Sequence, residues 1–283
     1  MLKYLLITVF SFTLIFPFFS QTAQTKVRVK NTAEFIKALK SNTIIEMEYG
    51  LYQFENDLNE YGAAGKGFVI EEIDNLTIIG VGKFPSEIVL EDEYSTVLIF
   101  YKCTTIKLEN LEIGHGAAKG YCSGAVIKTN ETTNLTINKS ILYGSGTYGI
   151  ESIGGQNITC QNSTIRSCTY GAIFMTRTKN ITFTNCSFTD NVGFDIFTFT
   201  DCSTINFNTC IIKDNKNSDP EEKTHQYASN LLFSLVGNST PIILTNCLVK
   251  FNRVDYLVNK KTDIKNVNSV IEHNLMYKNY NKE

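Results

Sequence analysis

The sequence predicts an all-β solenoid, a parallel β-helix of about nine coils with a short capping helix at its amino-terminal end. Three observations predict it. A motif recurs with a basic period near 23 residues, apolar residues alternate with period two inside each repeat, and asparagine recurs at one phase of the period.

The repeat is plainest in the stretches starting at Gln156, Lys179 and Thr240. In each, an aliphatic anchor (Ile158, Ile181 or Ile242) is followed by an apolar residue two later, Asn four later, a small residue five later and an apolar residue seven later. Extending the pattern gives anchors at Leu76, Ile106, Leu135, Ile158, Ile181, Ile205, Ile242 and Ile264, separated by 30, 29, 23, 23, 24, 37 and 22 residues. Ile44 is expected to start an earlier rung. Position seven carries Ile113, Leu142, Ile165, Phe188, Ile212 and Val249, and a second short strand is expected around Ile150, Ile173, Ile196 and Leu257 at position fifteen. Strands this closely spaced leave no room for crossover helices, so they stack, each coil rising by about 4.8 Å.

The Asn column (Asn110, Asn162, Asn185, Asn246 and Asn268) suits a sharp turn, because Asn tolerates the left-handed backbone and its amides can bond along the axis. Cys186, Cys210 and Cys247 share the next column and read as buried small hydrophobes rather than disulfides. Cys103, Cys122, Cys168 and Cys202 lie off it. The capping helix is expected over 31–40, N-capped by Asn31 or Thr32, with Phe35, Ile36 and Leu39 on one side. At the other end Asn266 stands where earlier rungs are apolar.

The 283 residues carry a formal net charge of −2, which excludes nucleic-acid binding by bulk positive charge. Lys3 followed by the apolar run Tyr4 to Phe19 and the small residues to Ala23 reads as a secretory signal peptide over 1–23. That run is short for a membrane span. The β-helix domain is then 24–283, exported to the periplasm or medium. Nine Asn-x-Ser/Thr sequons follow from the Asn-Ile-Thr rungs and do not require glycosylation.

Over residues 31–280 this pattern resembles the right-handed parallel β-helix proteins of the pectin-lyase-like superfamily. The stretches Gly114-His115 to Gly124 and Tyr143 to Gly149 resemble an uncharacterised bacterial branch of it. The resemblance implies a right-handed coil and leaves the reaction open among polysaccharide lyases, glycoside hydrolases, epimerases and adhesins. Gly114-His115-Gly116 matches one element of the polygalacturonase pattern, but its Asn-Thr-Asp triplet and Asp-Asp pair are missing. The Asp cluster of pectate lyases and the Asp-Pro-His-Asp of alginate epimerases are missing too.

Two insertions, at about 114–123 and 214–228, fall at the same phase and are expected to wall a trough over the three compact rungs between them. Tyr148, Glu151, Tyr170, Phe174, Asp195 and Phe197 are expected to face outward on its floor, with Arg166 nearby. His115, Lys119 and Tyr121 would stand on one wall, and Glu221, Glu222, Lys223 and His225 on the other. Exposed aromatics beside a few charges suit an extended glycan. As a lyase acting on acidic polysaccharide, Arg166 or Lys119 would neutralise a uronate while His115 or Tyr148 moved the proton. Glu151 and Asp195 are the candidates for hydrolysis, and Lys119, Tyr121, Tyr170, Phe174 and Phe197 for substrate binding. The alternatives are a non-catalytic glycan-binding protein and an adhesive or structural one. No metal-ligand spacing is visible and no cofactor is expected. The sequence carries no signal for an oligomeric state.

Overall fold

The computed structural model describes residues 23–54, 67–91, 94–116, 124–144, 146–217 and 230–276. The chain winds through three long parallel sheets in turn. The first has ten strands, from Thr25–Val29 to Ile264–Val267, the second nine, from Leu51–Phe54 to Val270–Glu272, and the third eight, from Gly67–Glu71 to Tyr256–Val258. A fourth sheet of four two-residue strands begins at Val192–Gly193, at the corner between the second and third.

The anchors pair in one unbroken register along the first sheet, from Leu76 through Ile106, Leu135, Ile158, Ile181, Ile205 and Ile242 to Ile264. Position seven does the same in the second sheet from Ile113 to Val249. Parallel in-register stacking sets equivalent side chains about 4.8 Å apart, a spacing that suits offset aromatic stacking. Phe183 thus stacks on Phe207 at 4.7 Å and Phe197 on Phe233 at 4.9 Å in the interior.

Two expectations shift by one residue. Leu76 pairs with Thr43 rather than Ile44, and Ile45 is the residue that points inward; Thr25–Val29 adds a strand before it. Ile173 pairs with Phe197 rather than Ile196, and further along Phe233 pairs with Val258 rather than Leu257. The 24-residue rung carries one extra residue between Asn191 and that strand, which reverses its alternation.

The helix is Thr32–Ala38, shorter than expected. The Asn31 side chain accepts the Glu34 backbone N–H at 2.9 Å, and Glu34 in return accepts that of Lys30 at 3.0 Å. Phe35 plugs the first coil between Tyr52, Phe54 and Phe68. At the far end Asn266 pairs with Leu244 and lies exposed.

The asparagine column is left-handed throughout, with φ between 51° and 57°. The Asn185 amide donates to Asn162 at 2.9 Å, and that of Asn162 to Asn138 at 3.0 Å because Lys139 occupies the column there. The sequon residues Asn134, Asn157 and Asn180 form a second ladder one residue before the anchors, bonded at 2.7 and 2.8 Å.

A third asparagine ladder, buried except at its last member, runs along the corner leading into the third sheet. Asn191, Asn215, Asn252 and Asn274 chain together at 2.8–2.9 Å, and each also donates to a carbonyl of an earlier coil. Cys168 holds the equivalent position one coil earlier, and its N–H bonds Asn191 Oδ1 at 3.1 Å. The other corners work alike. Cys186, Cys210 and Cys247 share a column with Ser140, Ser163 and Ser269, while Cys103 and Cys202 share one with Thr132, Thr178 and Ser239. Corners leave inward N–H and C=O groups, and Ser, Thr, Asn or Cys satisfies them. Six of the seven described cysteines thus serve as buried, hydrogen-bonded thiols at corners, including three the sequence left unassigned; Cys160 is buried within strand Gln156–Gln161, and Cys122 lies outside the described residues.

Candidate functional site

The outward face of the third sheet and the adjoining edge of the second hold the candidate residues. Strand Tyr148–Ile153 presents Tyr148 and Glu151, and strand Gly171–Thr176 presents Phe174. Tyr148 pairs with Gly171 one coil on. A Cβ on Gly171 would meet the Tyr148 ring at 2.9 Å, so the glycine lets that ring lie along the sheet. The ring stacks on Phe174 at 5.1 Å with planes 28° apart and meets Tyr170 edge-on at 5.9 Å; Tyr170 in turn meets Phe194 at 5.1 Å. Tyr170 is 39% exposed and the others are half-buried, so an aromatic row lies open on this face.

Charges flank the row. Glu151 pairs with Lys128, one coil earlier, at 2.8 Å. Asp195 accepts the Leu231 backbone N–H at 2.9 Å. Burial pushes the Tyr148 phenol well above its ordinary pKa, and Tyr170, Glu151 and Asp195 add to this. Tyr148 thus stays protonated at neutral pH and offers a hydrogen-bond donor, not a base.

On the second sheet a cluster repeats this glycine device. Tyr143 pairs with Gly114, and a Cβ there would meet the ring at 2.6 Å. The Tyr143 hydroxyl donates to Glu87 at 2.7 Å, and Arg166 lies 5.1 Å from its ring centre while bonding Glu112 at 3.2 Å. Burial, then the hydrogen bond to Glu87, raises the Tyr143 pKa as well.

The structure therefore divides the expected set. Tyr148, Glu151, Tyr170, Phe174 and Asp195 gather on one face. Arg166 belongs with Tyr143, Glu87 and Glu112 on the second sheet. Phe197 is a correction: it points into the core, fully buried, and Thr198 faces outward beside Phe174. His115 is another. It ends strand Leu111–His115, where alternation turns it inward with Leu111 and Ile113, and it lies 2% exposed instead of standing on a wall. Its Nε2–H donates to the Ser95 carbonyl at 2.8 Å. Its parity with Ile113 signals that burial. Lys119, Tyr121, Glu221, Glu222, Lys223 and His225 lie outside the described residues. The flanks of both insertions, Gly116 with Gly124 and Asn217 with Asn230, stand between the second and third sheets.

Sequence reasoning passed over Lys128, Tyr143, Glu87, Glu112 and Phe194. The pairings of Lys128 with Glu151 and of Tyr143 with Glu87 and Gly114 were available once the register was known. Among the described residues, no three His, Cys, Asp or Glu side chains gather as metal ligands, and no helix is long and apolar enough to cross a membrane.

Two pectate lyases are among the solved structures that share this architecture. The pectate lyase Pel9A matches at TM-score 0.59 and 10% identity, over 89% of this chain and 80% of that one. The pectate lyase pelN from Paenibacillus sp. 0602 matches at 0.57 and 11%, over 90% and 79%. Such identities speak for the fold alone. Comparison with curated protein sequences found no match. A family model, described as right handed beta helix region, matches residues 95–281. The chain belongs to the right-handed β-helix family.

Proposed function

We propose that this protein binds polysaccharide along the outward face of its third sheet, and that it does so outside the cytoplasm, where the apolar segment before Ala23 would direct it. The observation that carries this reading is the row of Tyr148, Phe174, Tyr170 and Phe194. Flat aromatic faces match the C–H faces of sugar rings, and the neighbouring carboxylates can accept hydroxyl hydrogen bonds.

The described groups assigned to a lyase mechanism, for proton transfer or for neutralising a uronate, are held in other roles. Tyr148 holds its proton, Arg166 is paired with Glu112, and His115 is interior. These observations favour binding over elimination. Hydrolysis is the second reading, because two carboxylates, Glu151 and Asp195, flank Tyr148. Residues 24–283 incubated with a polysaccharide panel, followed by affinity electrophoresis, reducing-end assay and absorbance near the ultraviolet band of unsaturated sugars, test both. Retardation without products is expected. Absence of retardation by every polymer would remove the binding reading, and release of reducing ends alone would bring Glu151 and Asp195 forward as a catalytic pair.

A further inference from the structure

We propose that the amino-terminal end of the solenoid binds an extended acidic segment of another polypeptide, which adds one further strand to the first sheet. Strand Thr25–Val29 ends that sheet and, among the described residues, pairs with Thr43–Glu48 alone. Its Thr25 N–H donates to the Asn42 carbonyl at 2.7 Å. Alternation in a parallel ladder then turns the backbone groups of Thr25, Val27 and Val29 toward that neighbour, and those of Lys26 and Arg28 toward the open side. Such an edge is a template for strand addition.

A groove of about 520 Å³ runs beside this edge, between the strand and the capping helix. Val27, Val29 and Ala38 supply its apolar part. An added strand would send alternate side chains into it, continuing the inward row of Val27 and Val29. Among the described residues, four charged side chains line the groove: Arg28, Glu34, Lys37 and Lys40. The Glu34 carboxylate is occupied by the Lys30 N–H and the Asn31 amide, and Arg28 pairs with Glu48 at 3.2 Å. Lys37 and Lys40 form no ion pair among the described residues. Glu71, Glu72 and Asp74 belong to the following coil and line no part of the groove. The strand's outward row is Lys26 and Arg28, both exposed, set against Glu46 and Glu48 of the next strand. Cations along an edge repel a second copy of the same strand and favour carboxylates. The segment that fits alternates apolar side chains, turned into the groove, with Asp or Glu stacked on Lys26 and Arg28. Residues 1–22 do not supply this pattern, since they contain Lys3 and no Asp or Glu.

The probe is a synthetic capped peptide of alternating Glu and Val, about six residues long, beside its Lys-Val counterpart. Binding to residues 24–283 is measured by titration calorimetry at about 50 and about 500 mM NaCl. The Glu peptide is expected to bind at least about tenfold more tightly than the Lys peptide at low salt, with the gap narrowing at high salt. Lys37→Glu combined with Lys40→Glu should weaken the Glu peptide by at least about tenfold. Hydrogen exchange separates strand addition from loose charge attraction: the Lys26 and Arg28 amides should slow on binding. Of the two sets of alternate peptide nitrogens, methylating one should abolish binding and methylating the other should spare it. No binding of the Glu peptide, equal affinity for the two peptides, unchanged exchange at Lys26 and Arg28, or full binding in the double variant overturns the inference. A dimer of the unliganded protein whose interface protects the same two amides would make a second copy the occupant, and overturns it as well.

Discussion

Tyr148 and Phe174, one coil apart, stack with ring centres 5.1 Å apart because Gly171, the backbone partner of Tyr148, has no side chain to lift the ring from the sheet. The aromatic face therefore depends on three positions that the repeat brings together from two neighbouring rungs.

Removing one ring should weaken binding without unfolding the coil. Tyr148→Ala is expected to lower affinity for a bound glycan by about tenfold, on the order of the 1.4 kcal/mol that one ring contact supplies. Tyr148→Phe should retain most of it. Calorimetric titration beside thermal melting checks this; an unchanged dissociation constant for Tyr148→Ala would move the binding surface elsewhere.

Gly114 should tolerate no side chain. Its Cβ would meet the Tyr143 ring at 2.6 Å, so Gly114→Ala must displace a ring bonded to Glu87 and covered by Arg166. A loss of about 1–3 kcal/mol is expected, measured by urea denaturation. Combining it with Tyr143→Ala should recover part of that loss, and no recovery would place the strain in the backbone.

The buried asparagine ladder should be costly to interrupt. Asn215 accepts from the Asn191 backbone and side chain and donates to Asn252 and the Phe188 carbonyl. Asn215→Leu leaves several of these groups unpaired, at about 1–3 kcal/mol each. A total of about 3 kcal/mol or more is expected in calorimetric melting. Asn215→Asp should also destabilise, because a carboxylate cannot donate. A loss below about 1 kcal/mol would show that the corner rearranges around the gap.

Alkali should unfold the protein early. A hydrogen bond with Cys186 and burial push the Cys210 thiol up to about 12. Cys186 and Cys247 are raised first by thiol partners and then by burial, and Cys103 and Cys202 by burial. Folded values lie above unfolded ones, so the unfolded chain releases these protons first. Their stabilising contribution is whole below about pH 8.5 and is lost as pH rises from there toward the folded values. Each thiol removes up to about 1.4 kcal/mol per pH unit over that window. Urea midpoints at pH 7, 9 and 10 should fall accordingly, and Cys210→Ser, matching the serines of its column, should flatten the fall. A flat profile to pH 10 would mean the thiols do not hold their protons on folding.

Much of the fold was legible in the sequence, for a physical reason. A 23-residue period combined with two-residue alternation leaves one phase in which every anchor is buried, so the coil, its register from Leu76 to Ile264 and the turn asparagines follow. The Phe35 cap follows from the need to close an apolar end. Where the period slipped by one residue, as before Phe197, the same logic misplaced a side chain; where parity was not carried past Ile113, His115 was put on the wrong side.

The sequence by itself determined the solenoid, since each coil repeats a local pattern and needs only its neighbours. Tertiary structure alone decided which functional groups are free to act. Lys128 is spent on Glu151, 23 residues away, and Arg166 on Glu112, 54 away, because stacking places those carboxylates within reach. A charge read along the chain is a charge; only its neighbours in the next coils decide whether it remains one for a ligand.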